Sequence, residues 1–215
     1  MGIDLGGTKT AICIMDSEGH IKDKLIFPTR VHEGPKSAIS RMIDGCFTLL
    51  ERSGLSLNNI TAVGVGVPGP IDYKKGMLKH PPNLPGWRDV PLLDILEDKL
   101  RLPTFLENDA NAAALSENLY GAGRGVDNFV YITISTGIGG GVVINGRLMR
   151  GEDDNAAELG HMTINFDGPL CGCGSWGCWE VYASGTALAR FAREGIASGR
   201  TTLISDLAGG HEIKA

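Results

Sequence analysis

The chain has 215 residues, 42% of them hydrophobic and 21% charged, and a formal net charge of −5; that is enough for one large domain or two small ones with a buried core. The acidic balance and the lack of a Lys/Arg run argue against a general nucleic-acid binder, and no apolar stretch reaches the roughly 18 residues of a membrane span. With no signal peptide read ahead of MGIDLGG, a cytoplasmic setting is expected, where clustered cysteines favour metal binding or catalysis over disulfides.

In chain order, residues 2–5 and 10–15 read as strands with Gly6 and Gly7 between them, and 20–28 as a third strand after the turn at 16–19;. Ile39, Met42, Ile43, Phe47 and Leu50 recur at helical spacing over 35–52, with Gly54 closing the helix;. A buried strand is expected over 60–67, then a Pro/Gly-rich stretch to Trp87, a short helix over 92–100 and a strand over 104–107. Asn108 or Asp109 caps a helix running to Tyr120, and GAGRG (121–125) reads as a hinge, giving domains at 1–120 and 121–215. Beyond it come a strand over 128–134, the glycine loop STGIGGG, a strand over 141–144, the hairpin signal Asn145-Gly146 and a further strand. After the cysteine segment, helices are expected over 178–194 and 202–208. Two stretches echo each other, IDLGGTKTAICI and ISTGIGGGVVI, each a strand, a Gly/Thr-rich turn and a strand.

Three glycine patterns compete for a phosphate. GVGVPG (64–69) matches G-x-G-x-x-G after a strand, but Pro68 and Pro70 oppose the helix that a dinucleotide site needs at that point. No Walker P-loop is present. DLGGTKT and STGIGGG sit instead between strands, where glycines let backbone N–H groups approach phosphate and a Thr hydroxyl adds a donor. One such hairpin is most simply a turn; two, in successive halves, fit opposed clips around one nucleotide.

Cys171, Cys173 and Cys178 follow C-x-C-x4-C, and His161 lies ten residues upstream. Three thiolates and an imidazole form a closed tetrahedral zinc site, hence a structural one. The cytosolic reading and the odd cysteine count oppose a disulfide, and a Cys/His nucleophile would need only one cysteine. Gly172, Gly174 and Gly177 let the loop fold tightly. Cys13 and Cys46 lie on apolar faces as core residues. Trp176 and Trp179 either shield the metal or pack under the next helix. On spacing alone, Asp109 is a helix cap as readily as a catalytic group, and Asp4 a turn residue as readily as a metal-positioning one.

Taken together, GIDLGGTKT, LENDANAAA, STGIGGG, AAELGH and CGCGSWGCWE resemble the ROK family (repressors, open reading frames, kinases) over nearly the whole chain. The resemblance implies an α/β, actin/Hsp70/hexokinase-like (ribonuclease H-like) two-domain kinase fold with the sugar in a cleft between domains. It implies an ATP-dependent hexose kinase, most like the family's glucokinases, with Asp109 as general base, ionised at its helix N-terminus. Asp4, Gly6, Gly7, Thr8, Lys9, Thr136, Gly137, Gly139 and Gly140 would serve the nucleotide, with Mg2+ accompanying ATP and Asp4 positioning it. Asn83, Asn108, Asp109, Glu158, His161 and Glu180 would serve the sugar. His161 would belong also to the zinc set, the metal fixing one ring nitrogen so that the other faces the sugar. Partners implied are a hexose, ATP and a second copy of the chain in a dimer or tetramer. Kinases of this family for N-acetylmannosamine or fructose, and sugar-responsive regulators, are the alternatives; the family's repressors carry a helix-turn-helix ahead of the first strand, where this sequence opens. Family kinases continue well past residue 215 and have a longer first strand, so the second domain is expected to be incomplete and the isolated chain weakly active.

Overall fold

The structure, a computed structural model, describes residues 1–152 and 154–214. It divides into two compact units, Met1–Gly125 with Gly151–Asn155, and Val126–Arg150 with Ala156–Ala215.

In the first unit, β-branched residues at alternate positions build a meander of β1 (Gly2–Leu5), β2 (Lys9–Met15) and β3 (Ile21–Pro28). These pair antiparallel, with Ile3 opposite Ile12 and Ile12 opposite Leu25. Two parallel strands extend the sheet, β4 (Val63–Val67) beside β1 and β7 (Thr104–Asn108) beside β4, in the order β3-β2-β1-β4-β7. This is the ribonuclease H-like arrangement. A small hairpin of β5 (Ile71–Asp72) and β6 (Met77–Leu78) lies between β4 and β7 in the chain.

The strand expected over 60–67 begins only at Val63, because Leu57–Asn59 closes a turn of 3-10 helix capped by Ser56. Along β4 the valines Val63, Val65 and Val67 are buried in the core, while Gly64 and Gly66 occupy the opposite face. A Cβ at Gly66 would lie 3.8 Å from the Asp109 Cα and 3.9 Å from the Ala112 Cβ. The alanine-rich helix α3 (Asp109–Tyr120) therefore rests on the glycine face of β4. No helix starts after Gly69; the chain passes through a cis Gly69–Pro70 bond into β5, and the next α-helix is α2 (Leu92–Leu100). The dinucleotide alternative for GVGVPG thus fails on context, as its prolines require.

Helix α1 (Gly34–Arg52) has Pro at its first turn and buries Ala38, Ile39, Met42, Cys46, Leu49 and Leu50. Phe47, expected on this stripe, is instead 43% exposed, since the helix turns its 39/42/46/49 line inward. Leu92, Leu96 and Leu100 of α2 join the same core. Each such side chain contributes about 1.5–3 kcal/mol by leaving water.

The second unit repeats the opening motif: β8 (Phe129–Ile134), β9 (Ile138–Ile144) and β10 (Arg147–Leu148) form an antiparallel sheet in the order β10-β9-β8. Gly139, Gly140 and Gly141 are strand residues paired with Thr133, Ile132 and Tyr131, so the loop expected over 135–141 contracts to 135–137. The single helix expected over 178–194 is two, α4 (Glu180–Ala183) and α5 (Gly185–Ala197). Ser184 separates them: its backbone is extended and its hydroxyl accepts from the Ala187 N–H, so it caps α5 rather than continuing α4;. A last helix, α6, spans Leu203–Ala208.

Leu49 makes no contact with solvent. Leu49→Ala should lower the unfolding free energy by about 2–5 kcal/mol, read by chemical denaturation. A loss below about 1 kcal/mol would show that α1 is not part of the cooperative core.

Candidate functional site

In the first unit the chemistry-bearing residues gather at the C-terminal ends of the parallel strands, where ligands bind in open α/β sheets. Asp4 on β1 stands opposite Gly66 on β4, which stands opposite Glu107 on β7. The two carboxylates thus share one sheet face with a side-chain-free position between them, their backbones about 10 Å apart. Asn108 is the N-cap of α3, its Oδ1 accepting from the Ala110 and Asn111 N–H groups. Asp109 is therefore the first helical residue, and its own Oδ1 accepts from Ala110 N at 2.8 Å.

The first glycine turn is closed by Gly6 N–H donating to the Lys9 carbonyl. Thr29 braces it from β3's end: its amide donates to the Thr8 carbonyl and its hydroxyl to the Gly6 carbonyl at 2.7 Å. Thr29 is 1% exposed and also shares a hydrogen bond with Thr10. Thr8 and Lys9 face solvent. A Cβ on Gly7 would meet the Asn83 carbonyl oxygen at 2.4 Å, so the turn and the NLPGW segment touch backbone to backbone. Leu84 and Trp87 anchor that segment in the core at 1% and 2% exposure and leave Asn83 facing outward.

Asp4 and Asp109 both reach solvent, yet enough protein surrounds them to displace much of their water, and this raises both pKa values;. Lys9 opposes the shift at Asp4. At Asp109 the Ala110 amide opposes it, and the Asp4 charge adds to it. Lost hydration therefore outweighs the Ala110 amide that Asp109 meets at this helix N-terminus.

In the second unit, the turn at Ser135–Gly137 is held on three sides. Gly185 N–H donates to the Ser135 carbonyl, and the Thr186 hydroxyl donates to the Thr136 carbonyl at 2.7 Å. The Ile138 N–H donates to Glu180 Oε2 at 2.8 Å, which Gly137 permits, since a Cβ there would lie 2.4 Å from that oxygen. Gly160 packs on the same residue, a Cβ there falling 2.2 Å from the Ile138 carbonyl oxygen. Gly140 lies under the Leu159 side chain, and Gly139 lies within β9. Glu158 is exposed and follows Ala157, whose φ is +68°; such backbone is costly and concentrates at functional sites.

His161, Cys171, Cys173 and Cys178 converge, their ligand atoms all within 4.8 Å of one another. Cys171 Sγ lies 3.6 Å from His161 Nδ1, and Cys173 Sγ lies 3.6 Å from Cys178 Sγ. A tetrahedral zinc with bonds of about 2.3 Å to sulfur spaces its ligands by about 3.8 Å, so the four fit that metal. Burial and its cysteine neighbours push the Cys178 thiol up to about 12, whereas the Ser175 amide and the other two thiols bring exposed Cys173 down to about 7. Gly174 and Gly177 take left-handed φ values, and a Cβ on Gly177 would collide with the Asn165 carbonyl. Gly172 has open space and ordinary φ, so the tightness attributed to all three glycines belongs to two. Trp176 is 59% exposed and Trp179 is half-buried.

The model of the ROK family matches residues 1–214. The chain belongs to the ROK family. It is 43% identical over 212 residues to the glucokinase of Thermotoga maritima, covering 99% of this chain and 65% of that protein. It is 39% identical over 191 residues to the xylose repressor of Bacillus spizizenii, covering 87% of this chain and 48% of the repressor. Among solved structures, a ROK glucokinase of Streptomyces griseus in complex with glucose and AMPPNP superposes with a TM-score of 0.78 at 41% identity, over 92% of this chain and 61% of that one. The chain thus spans less than two thirds of the curated relatives it matches. Among the described residues, no helix is long and apolar enough to cross a membrane.

Thr29, Thr186, Gly160, Tyr73 and Glu107 escaped the sequence reading. Gly160, inside the ELGH motif, and Glu107, inside LENDANAAA, lay within motifs that the sequence displays; the other three did not.

Asp109 is easier to protonate in the folded chain than in the unfolded one, so its ionised form subtracts stability once pH exceeds about 4, and fully so above the folded pKa. Asp109→Asn should therefore melt above the parent at pH 7, with the gap closing near pH 3.5. A variant melting lower at pH 7 would show that the helix N-terminus outweighs burial.

Proposed function

We propose that this chain carries the hexose- and phosphate-binding machinery of an ATP-dependent kinase that phosphorylates the 6-hydroxyl of glucose. The observation that supports it most is the placement of Asp109 on α3 near Asp4, close enough for one charge to raise the other's pKa, beside a braced glycine turn. Phosphoryl transfer needs positioning, charge stabilisation and one carboxylate to accept the hydroxyl proton. Asp109 takes that proton, its affinity for it raised by the loss of hydration;. Asn108 and Asn83 orient sugar hydroxyls from the first unit; Glu158, His161 and Glu180 are the corresponding set in the second. Polyols are held by such groups because each hydroxyl both donates and accepts. Backbone N–H groups at Gly7 and Thr8, and at Thr136 and Gly137, receive phosphate oxygens, with Gly6 closing its turn onto the Lys9 carbonyl, Lys9 adding charge, and Gly139 and Gly140 lying in β9 behind the second turn.

Mg2+ accompanying ATP supplies charge neutralisation at the phosphates, and Asp4, with Asp109 nearby, is the group that would hold it through water. Zinc fits the His161, Cys171, Cys173 and Cys178 set and would act structurally. Binding through Nδ1 leaves His161 Nε2 for the sugar.

Similarity to a xylose repressor favours a second reading, a sugar-responsive regulator that binds its sugar without turnover. ATP consumption across a panel of hexoses separates the two, with mass and metal content read on the same sample to establish oligomer and zinc. Asp109→Ala should reduce glucose-dependent ATP consumption by at least 100-fold with zinc content unchanged; near-normal turnover would refute the assigned base. Cys178→Ser should release zinc and weaken glucose binding together. Unchanged glucose affinity in a zinc-free variant would sever the metal from the sugar site.

A further inference from the structure

Tyr73, just past β5, and Glu107, the penultimate residue of β7, form a hydrogen-bonded cluster that the assigned roles leave unused. The Tyr73 hydroxyl donates to Glu107 Oε1 at 2.8 Å and accepts from the Asn108 N–H at 3.2 Å. The same Asn108 N–H donates to Glu107 Oε1 at 3.0 Å, and Asn111 Nδ2 donates to that oxygen at 3.3 Å. One carboxylate oxygen therefore receives three donors, drawn from the loop after β5, the β7–α3 junction and the first turn of α3. Asn111 is 3% exposed, which fixes the far end of the cluster in the interior.

The residue so held is the hinge of the site. Asn108 has extended backbone, with φ −59° and ψ 140°, and the next residue is helical. Its amide is gripped by Tyr73 and Glu107 while its side chain is gripped by the Ala110 and Asn111 amides. Rotation about the 108–109 link would swing the Asp109 carboxylate, and the two sets of bonds together prevent it. A carboxylate is the right hub, because bonds to an ionised acceptor are roughly twice as strong as neutral ones. A phenol is the right brace: it has one proton to give to Glu107 and lone pairs to receive the amide. Burial and the Glu107 charge raise the Tyr73 pKa, keeping that proton in place at neutral pH.

We propose that Tyr73 and Glu107 are positioning residues that fix Asn108 and Asp109 in line for proton acceptance, an inference that rests on the kinase reading for its catalytic consequence. Tyr73→Phe removes one oxygen and keeps the ring. It should lower kcat for glucose about tenfold, as small misplacements of a reacting group do, with KM for ATP within about twofold. Glu107→Gln, which retains an acceptor, should keep more activity than Glu107→Ala. Independently of turnover, amide hydrogen exchange at Asn108 should quicken at least tenfold in Tyr73→Phe, while Ile3 in β1 keeps its protection.

Unaltered Asn108 exchange in Tyr73→Phe would overturn the proposal. So would kcat, ATP KM and melting temperature all declining together, which is the mark of general loosening. A parent chain that turns over no hexose would defeat the kinase reading, and the exchange measurement would still decide whether this cluster holds Asn108.

Discussion

At three places a carbonyl oxygen occupies the space where a side chain would begin: Asn83 over Gly7, Ile138 over Gly160 and Asn165 over Gly177. At these distances even a methyl group is excluded. Each contact joins separate segments: the first glycine turn to the stretch from Asn83 to Trp87, the ELGH motif to the second hairpin, and the cysteine loop to the segment that follows His161. Rigid backbone-to-backbone seating of this kind places residues more accurately than side-chain packing, because no rotamer intervenes. The hydrogen bonds from Thr29, Thr186 and Glu180 then lock the seated turns. The motif residues of both units owe their positions to these glycines before they owe them to any charge.

The electrostatics of the first unit follow from that seating. Bringing Asp4 on β1 and Asp109 at the start of α3 to the same end of the sheet costs hydration and sets like charges near each other. The helix N-terminus and the Ala110 amide return part of the cost. A carboxylate held somewhat against its preference for water is a better proton acceptor than one in bulk solvent, so the destabilisation has the sign a general base requires. Glu107 contrasts with it two residues earlier, its Oε1 saturated by donors. Neighbouring acids on one strand-to-helix junction are thereby divided between a structural hub and an open group.

Much of this was legible in the residues. The β1–β3 meander, α1, the Asn108 cap and the four-ligand cluster all rest on local patterns, such as alternation, period 3.6 and ligand spacing, that a single chain displays directly. What escaped depends on partners distant in sequence. Thr29 looks like any strand-end threonine until it meets the Gly6 carbonyl, and Tyr73 looks like a loop tyrosine until β7 arrives beside it. Phe47 was misplaced because two helical stripes fit the same apolar residues, and only packing against the sheet selects between them. Gly139 to Gly141 read as a loop because glycine disfavours strands on its own; here Leu159 lies over Gly140, where a larger residue would not fit. The break at Ser184 shows a cap overriding a continuous helical pattern.

Glu180 has a consequence for anyone wishing to re-engineer substrate choice. One of its carboxylate oxygens is committed to the Ile138 amide, so altering it to suit another sugar would also untie the second glycine hairpin. On the proposed kinase reading, specificity and phosphate handling are fused at that position. On the same reading, Asn83 and Glu158, exposed and outside any such tether to a hairpin amide among the described residues, are where a library of variants would change the ligand without unsettling the scaffold.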